Sequence, residues 1–309
     1  MQTQRTPIHR YLHFLLLASL FMAVGCSSNP KSHIGAFSQA AAQLAEETKR
    51  GYQIVNSGTY EGKVYDLASD TSLKINDPSQ VQSMLAVKLK PEIDKRVGAL
   101  DSIQSYAQAL SDLSAAEFGR DMDRATRDLN GAMKGLNANV QKLGGSHTIS
   151  DKSIQLVATA VNAIGSTIQE KMRRKAIKEI VIQTNPAVQD LCAILKKEFP
   201  AMVQFANAGF QLAYTEIIKD YEKRKNQMPL EERVSAIRDI HNRIEASDRL
   251  NDYPPKLAQA ADHLATAHAA LYQAVMDDQF TTNELVSKIG EMAAFGKSIK
   301  QFNDSIATP

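Results

Sequence analysis

From residue 33 onward, apolar residues recur at steps of three and four, the period of an α-helix rather than of a strand. The clearest run is Phe118, Met122, Ala125, Leu129, Met133, Leu136, Val140 and Leu143. Ser114 and Glu117 form a capping box ahead of it, and Gly144-Gly145 stops it. Before it, Ile93, Val97, Leu100, Ile103, Ala107 and Leu110 mark a helix that opens at Asp77-Pro78 and is kinked or broken at Pro91. After it, Ile154, Val157, Val161, Ile164, Ile168 and Met172 run toward Thr184-Asn185-Pro186, where a new helix is expected to start. That helix carries Leu195, Phe199, Met202, Ala206, Phe210, Ala213, Ile217 and Tyr221, with a bend at Pro200. Met228-Pro229 opens a shorter one through Val234, Ile237, Ile240 and Ile244.

A break at Tyr253-Pro254-Pro255 precedes a helix with Leu257, Ala261, Leu264, His268, Leu271 and Val275. Thr281 and Glu284 form a second capping box, before Leu285, Ile289, Met292, Ile299, Phe302 and Ile306. Ile34, Phe37, Ala41, Leu44 and Val55 mark the first helix. Residues 57–76 hold Gly58, Gly62 and a polar run from Asp70 to Asp77, so a loop is expected there, with a small hairpin as the alternative. Connections are short, so successive helices should be antiparallel. The predicted fold is all-α: one domain over residues 33–309, an elongated bundle of long antiparallel helices with coiled-coil-like packing.

The N-terminal segment has a different pattern. Arg5 and Arg10 precede an apolar run from Tyr11 to Val24. Its 14 residues make roughly 21 Å of helix, short of a hydrocarbon core of about 30 Å. This is the build of a secretory signal rather than of a membrane span. The run ends in Ala23-Val24-Gly25-Cys26, which resembles the signal of bacterial lipoproteins. The resemblance covers residues 1–27. It implies a diacylglycerol thioether on Cys26, cleavage before it and acylation of the new amino group. On that pattern residues 1–25 are removed, and residues 26–32 are the lipidated cysteine and a flexible tether. Ser27 stands where aspartate commonly retains such proteins at the inner membrane, so the resemblance implies transfer to the outer membrane, with the periplasmic side expected and surface exposure as the alternative. Two or more acyl chains give a stable anchor where one gives only marginal binding.

Composition supports the helical reading. Gly and Pro number 15 and 10 in 309 residues, about 8 % against roughly 12 % in average proteins. Few breakers mean long elements. Tryptophan is absent and aromatics are 6 %, which favours close helix packing over aromatic-rich strands. Residues 1–25 hold two of the 36 basic residues and no acid, which leaves 34 basic against 34 acidic. A neutral body has no overall charge to drive binding to a nucleic-acid backbone, and no nucleic-acid partner is expected.

Candidate chemistry is sparse. Beyond the signal the histidines are His33, His147, His241, His263 and His268, and none has a glutamate three residues before it. The Glu-x-x-His pairs of di-iron bundles are therefore missing. His263 and His268 are about 140° apart around a helix and cannot share a ligand face. His268 lies on the apolar stripe and reads as a core-edge histidine hydrogen-bonded to a facing helix. Cys192, between Leu191 and Ala193 on a helix, reads as a buried inert thiol. Gly144-Gly145-Ser146-His147 reads as a helix stop and connector rather than a catalytic loop. No nucleophile elbow, phosphate loop or dinucleotide loop is present. The expectation is a non-enzymatic protein with no cofactor and no metal.

Lys171, Arg174, Lys175 and Lys178 fall at i, i+3, i+4 and i+7, with Arg173 beside them. Such a stripe is either a face paired or solvated in place, or a contact for an anionic surface. Together these readings point to an envelope lipoprotein, held by Cys26, whose helical body is a scaffold or adaptor for an envelope protein. Two alternatives are a membrane-active bundle using Ile154–Ile168, and a ligand-binding bundle lined by Met202, Phe205 and Phe210.

Overall fold

The computed structural model describes residues 30–75, 77–86, 89–116, 120–155, 159, 170–280 and 282–307. Among these residues there is no strand. The helices are α1 (Pro30–Ser69), α2 (Pro78–Met84), α3 (Lys90–Ala115), α4 (Arg120–Lys142), α5 (Glu170–Arg224), α6 (Leu230–Leu250), α7 (Tyr253–Met276) and α8 (Asn283–Ala307). The fold is all-α, as the periodicity predicts.

α1 is the central helix. It packs against α3, α5, α7 and α8 and buries Ile34, Phe37, Ala41, Leu44, Tyr52 and Val55 along one side. α3 runs antiparallel to it: Lys31 reaches the carbonyl of Ala115, and Lys49 pairs with Asp101 at 2.8 Å. α4 returns antiparallel along α3, where the Asn139 amide donates to the carbonyl of Gly98 at 3.0 Å. α5 and α8 run parallel to α1, and α7 runs antiparallel to α5, with Lys196 on Asp262 and Gln189 on the carbonyl of Ala265. Successive hairpins are thus antiparallel, whereas the longer connections bring α5 and α8 back parallel to α1. One continuous core joins α1, α3, α4, α5, α7 and α8; α6 contributes only Leu250 at its end, and α2 contributes no residue to it.

Several boundaries differ from the sequence reading, each for a physical reason. The first helix takes in residues 30–32, assigned to the tether, because Ile34 and Phe37 bury its first turns. It also runs on to Ser69, through most of the expected loop. Gly58 and Gly62 are not loop residues here. They sit where α1 crosses α5 and the two backbones touch: Gly62 faces Gly209, and Gly58 faces Ala206 and Phe210. A side chain at either position would hold the helices apart. The described non-helical residues here are 70–75 and 77, where Asp70 accepts from Ser72.

Asp77 caps α2 as its sequence predicts, accepting from the Ser79 amide at 2.8 Å, but the helix ends at Met84 and Pro91 opens α3 afresh. Ser114 does not cap α4. It is the last turn of α3, its hydroxyl spent on the carbonyl of Ser111, while Glu117 lies outside the described residues. Thr281 also lies outside them, and Thr282 accepts from the Leu285 amide at the start of α8. No break occurs at Thr184-Asn185-Pro186. α5 continues through Pro186 and Pro200. An internal proline costs roughly 3 kcal/mol. Burial of Ile180, Val181, Val188, Leu191, Leu195, Phe199 and Val203 on the same helix offsets this, at about 1.5–3 kcal/mol for each large side chain.

The stop after α4 follows its sequence. Gly144 has φ +80°, the Gly145 amide donates to the carbonyl of Val140 and the Gly144 amide to that of Gln141, both at 2.9 Å. This is the paired closure that favours glycine in the left-handed region. The connector then docks on α5: Asp190 accepts from the amides of Ser146 and His147 at 2.6 and 2.9 Å. These bonds hold the Asp190 carboxyl below its ordinary value against the opposing effect of burial. Gly144-Gly145-Ser146-His147 is therefore a stop and connector.

Candidate functional site

Two regions gather polar side chains: the end of the bundle where α1 begins, and the groups enclosed within it. α1 starts at Pro30, four residues after Cys26, which itself lies outside the described residues. At this end the C-termini of α3 and α7 meet the N-terminal turns of α5. The Arg173 guanidinium donates to the carbonyl of Ala116 at 2.6 Å, and Lys178 donates to the carbonyl of Met276 at 2.9 Å. Both carbonyls close helices whose last turns are otherwise without cations. A cation there satisfies an orphan acceptor and complements the helix dipole.

The basic stripe therefore divides. Lys178 is half-buried and engaged with α7, Arg174 is half-buried, and Lys175 is exposed. The side chain of Lys171 lies outside the described residues. Sequence spacing placed these cations on one face, but only packing shows that α3 and α7 end against it. Substituting methionine for Arg173 is expected to lower stability by about 1–2 kcal/mol, and for Lys178 by about 1 kcal/mol. Urea unfolding followed by circular dichroism reads both. An unchanged midpoint in R173M would mean that the carbonyl of Ala116 gains nothing from its cation.

The interior holds a chain of four polar side chains. His268 is fully buried on α7. Its Nε2 lies 3.0 Å from the Tyr106 hydroxyl on α3, and its Nδ1 lies 3.0 Å from Asn185 Oδ1 on α5. Thr184 Oγ1 lies 2.8 Å from the same tyrosine oxygen. A carboxamide oxygen only accepts, so the proton is on Nδ1, and Nε2 accepts from Tyr106. Phe37 of α1 meets the imidazole edge-on, with ring centroids 5.8 Å apart. Burial disfavours the imidazolium and pushes the His268 pKa down to about 3. The histidine is a neutral link between α3, α5 and α7, as its place on the apolar stripe suggests.

A second cluster ties α1, α7 and α8. The Tyr253 hydroxyl donates to Asn303 Oδ1 at 2.6 Å, and the Asn303 amide donates to both the carbonyl and the carboxylate of Glu47 at 2.9 Å. Arg50 completes it by bridging Glu47 and Asp304. Neither Asn303 nor Glu47 was singled out by the sequence. A lone asparagine in a helical stripe carries no signal of the partner that meets it.

Cys192 is buried, and desolvation with the nearby Asp262 charge pushes its thiol up to about 12, away from the reactive thiolate. No three histidine, cysteine or acidic side chains gather as a metal site among the described residues. Met202 is buried, Phe210 packs on Gly58, and Phe205 is 64 % exposed, so these three line no common pocket. A groove of about 660 Å³ between α3 and α4 is lined by Gly98, Ser102, Gly131, Gly135 and Asn139. Asp101, Asp112, Arg127 and Asp128 also line it. Of Ile154–Ile168, only 154, 155 and 159 fall within the described residues. No described helix is long and apolar enough to cross a membrane. No known protein family, curated protein or solved structure matches the chain.

Proposed function

We propose that this protein is an envelope lipoprotein, anchored through Cys26, whose helical body is a non-enzymatic scaffold or adaptor for another envelope protein. The observation that carries the reading is the sequence Ala23-Val24-Gly25-Cys26 at the end of a 14-residue apolar run, four residues before α1 begins. An extended link of four residues reaches at most about 14 Å. A lipid on Cys26 would therefore keep the α1 end of the bundle against the bilayer. The body then extends away from it along α1 and α5, whose 40 and 55 residues make roughly 60 and 80 Å of helix. Ser27 favours transfer to the outer membrane, on its periplasmic side.

Mass spectrometry of the mature N-terminus in a bacterial host tests the anchor. The expected result is a protein beginning at Cys26 with a diacylglycerol and an amide-linked acyl chain, and a Cys26→Ser variant recovered in the soluble fraction. An unmodified N-terminus at or near residue 26 would remove the anchor. In vivo crosslinking from exposed positions should trap one specific envelope protein if the body is an adaptor.

A further inference from the structure

α6 hides little of its apolar face. Its inner side meets α5 and α1: Ser247 and Leu250 are buried, Ala236 and Ile240 are half-buried, and Arg243 bonds Glu61 and lies over the Tyr65 ring. Its outer side carries Leu230, Val234, Ile237 and Ile244, exposed by 62, 38, 52 and 37 %. These positions are not scattered. Leu230, Ile237 and Ile244 repeat every seven residues, Val234 and His241 fall between them, and Glu231, Arg238 and Glu245 follow at the next position of each heptad. That is the layout of a coiled-coil seam, with d residues Leu230, Ile237 and Ile244, a residues Val234 and His241, and charged e residues. No element of the chain covers it among the described residues. Nor do Glu231 and Arg238 have ion-pair partners there.

We propose that this face of α6 pairs antiparallel with the same face of a second copy of this chain. The edge charges select both the occupant and the direction. In an antiparallel pair, a residues lie over d residues and e residues meet e residues. With Val234 of one copy over Ile237 of the other, Leu230 lies over His241 and Glu231 meets Arg238. Every one of these contacts occurs twice, because the two-fold axis passes between residues 235 and 236. A two-fold interface must be self-complementary in this way. Parallel pairing would instead set Arg238 of one copy beside Arg233 of the other, two like charges. Leu250 joins the body and Leu230 lies at the tip of the hairpin, so the two bodies sit at opposite ends of the paired helices. Two anchored copies meet in this way along a surface or across a gap between two surfaces, not standing side by side. The pairing itself does not rest on the anchor at Cys26.

Sedimentation of the full-length chain in nonionic detergent tests this. The wild type is expected to form a dimer in the micromolar range. Ile237→Asp, Glu231→Arg and Arg238→Glu should each raise its dissociation constant at least tenfold. All three sites are exposed, and an unchanged helical circular-dichroism spectrum verifies that the variants fold. The decisive arm mixes E231R with R238E: one copy then carries two arginines where the other carries two glutamates, and a heterodimer should form although neither variant pairs alone. A wild type that stays monomeric through 100 µM overturns the proposal. So does a dimer that the three substitutions leave intact. Failure of the mixture to associate would also overturn it, leaving the stripe to a helix of a different protein.

Discussion

Replacing Gly62 with valine is expected to destabilise the bundle by about 3 kcal/mol or more. The helix itself would welcome the change, since glycine is among the poorest residues in a helix interior. The penalty comes from the crossing. A Cβ at Gly62 overlaps the Cα of Gly209, one at Gly209 overlaps the carbonyl oxygen of Gly58, and one at Gly58 meets the Phe210 ring and, at 3.2 Å, the carbonyl oxygen of Ala206. These neighbours are mostly backbone and cannot rotate away. The helices must separate, and the packing of Phe199, Met202 and Ala206 near the crossing is lost with them. Gly131 supplies the control. Nothing lies within 4 Å of a Cβ built there, so Gly131→Ala should stabilise the protein by about 0.5–1 kcal/mol. Urea unfolding midpoints of the two variants should move in opposite directions. If G62V unfolds like the wild type, the glycine contact does not hold α1 on α5.

Acidification is expected to weaken the fold through His268. Its folded-state pKa, about 3, lies below the ordinary value of 6.5. The unfolded chain therefore binds a proton at a pH where the folded one does not. Stability from this group is complete above 6.5 and is lost progressively as pH falls from there toward 3. Between pH 7 and pH 5 the loss is about 2 kcal/mol. His263, pushed down by partial burial beside Phe295, adds to the same slope in a smaller measure. A charged His268 would have to place a second N–H against the Tyr106 hydroxyl, whose hydrogen already points at it. Unfolding free energies measured at pH 7 and pH 5 should differ by this amount in the wild type. In His268→Gln the difference should shrink to that of the remaining groups, whatever the variant's overall stability. An equal slope in both proteins would show that the imidazole titrates normally.

The two predictions turn on residues that the sequence presents very differently. His268 stands on an apolar stripe, and a histidine there already implies a hydrogen-bonded partner on a facing helix. Its particular partners, Tyr106 and Asn185, lie 162 and 83 residues away, and no local pattern names them. Gly58 and Gly62 read as loop residues because glycine is the commonest punctuation of a helix. At a crossing it does the reverse: it lets a helix persist where any side chain would force it from its neighbour. Pro186 misleads for a related reason. The local rule prices the missing amide and the steric clash, but the apolar surface buried on both sides of Pro186 outweighs them. The basic stripe was visible as spacing, whereas its use at the ends of α3 and α7 depends on where those helices stop.

By itself the sequence determined the class of fold, the positions of most helices, the stop at Gly144 and the apolar segment that ends at Cys26. Each of these is written in local order: a period of 3.6, a capping side chain, a left-handed glycine, an apolar run of 14 residues. Only the tertiary structure decided which breakers were real, which polar groups were sealed inside, and which apolar stripe was left uncovered. A stripe at helical spacing looks the same whether a neighbour buries it, as on α7, or leaves it bare, as on α6. Burial is a property of pairs of elements distant in sequence, and periodicity within one element carries no record of its partner.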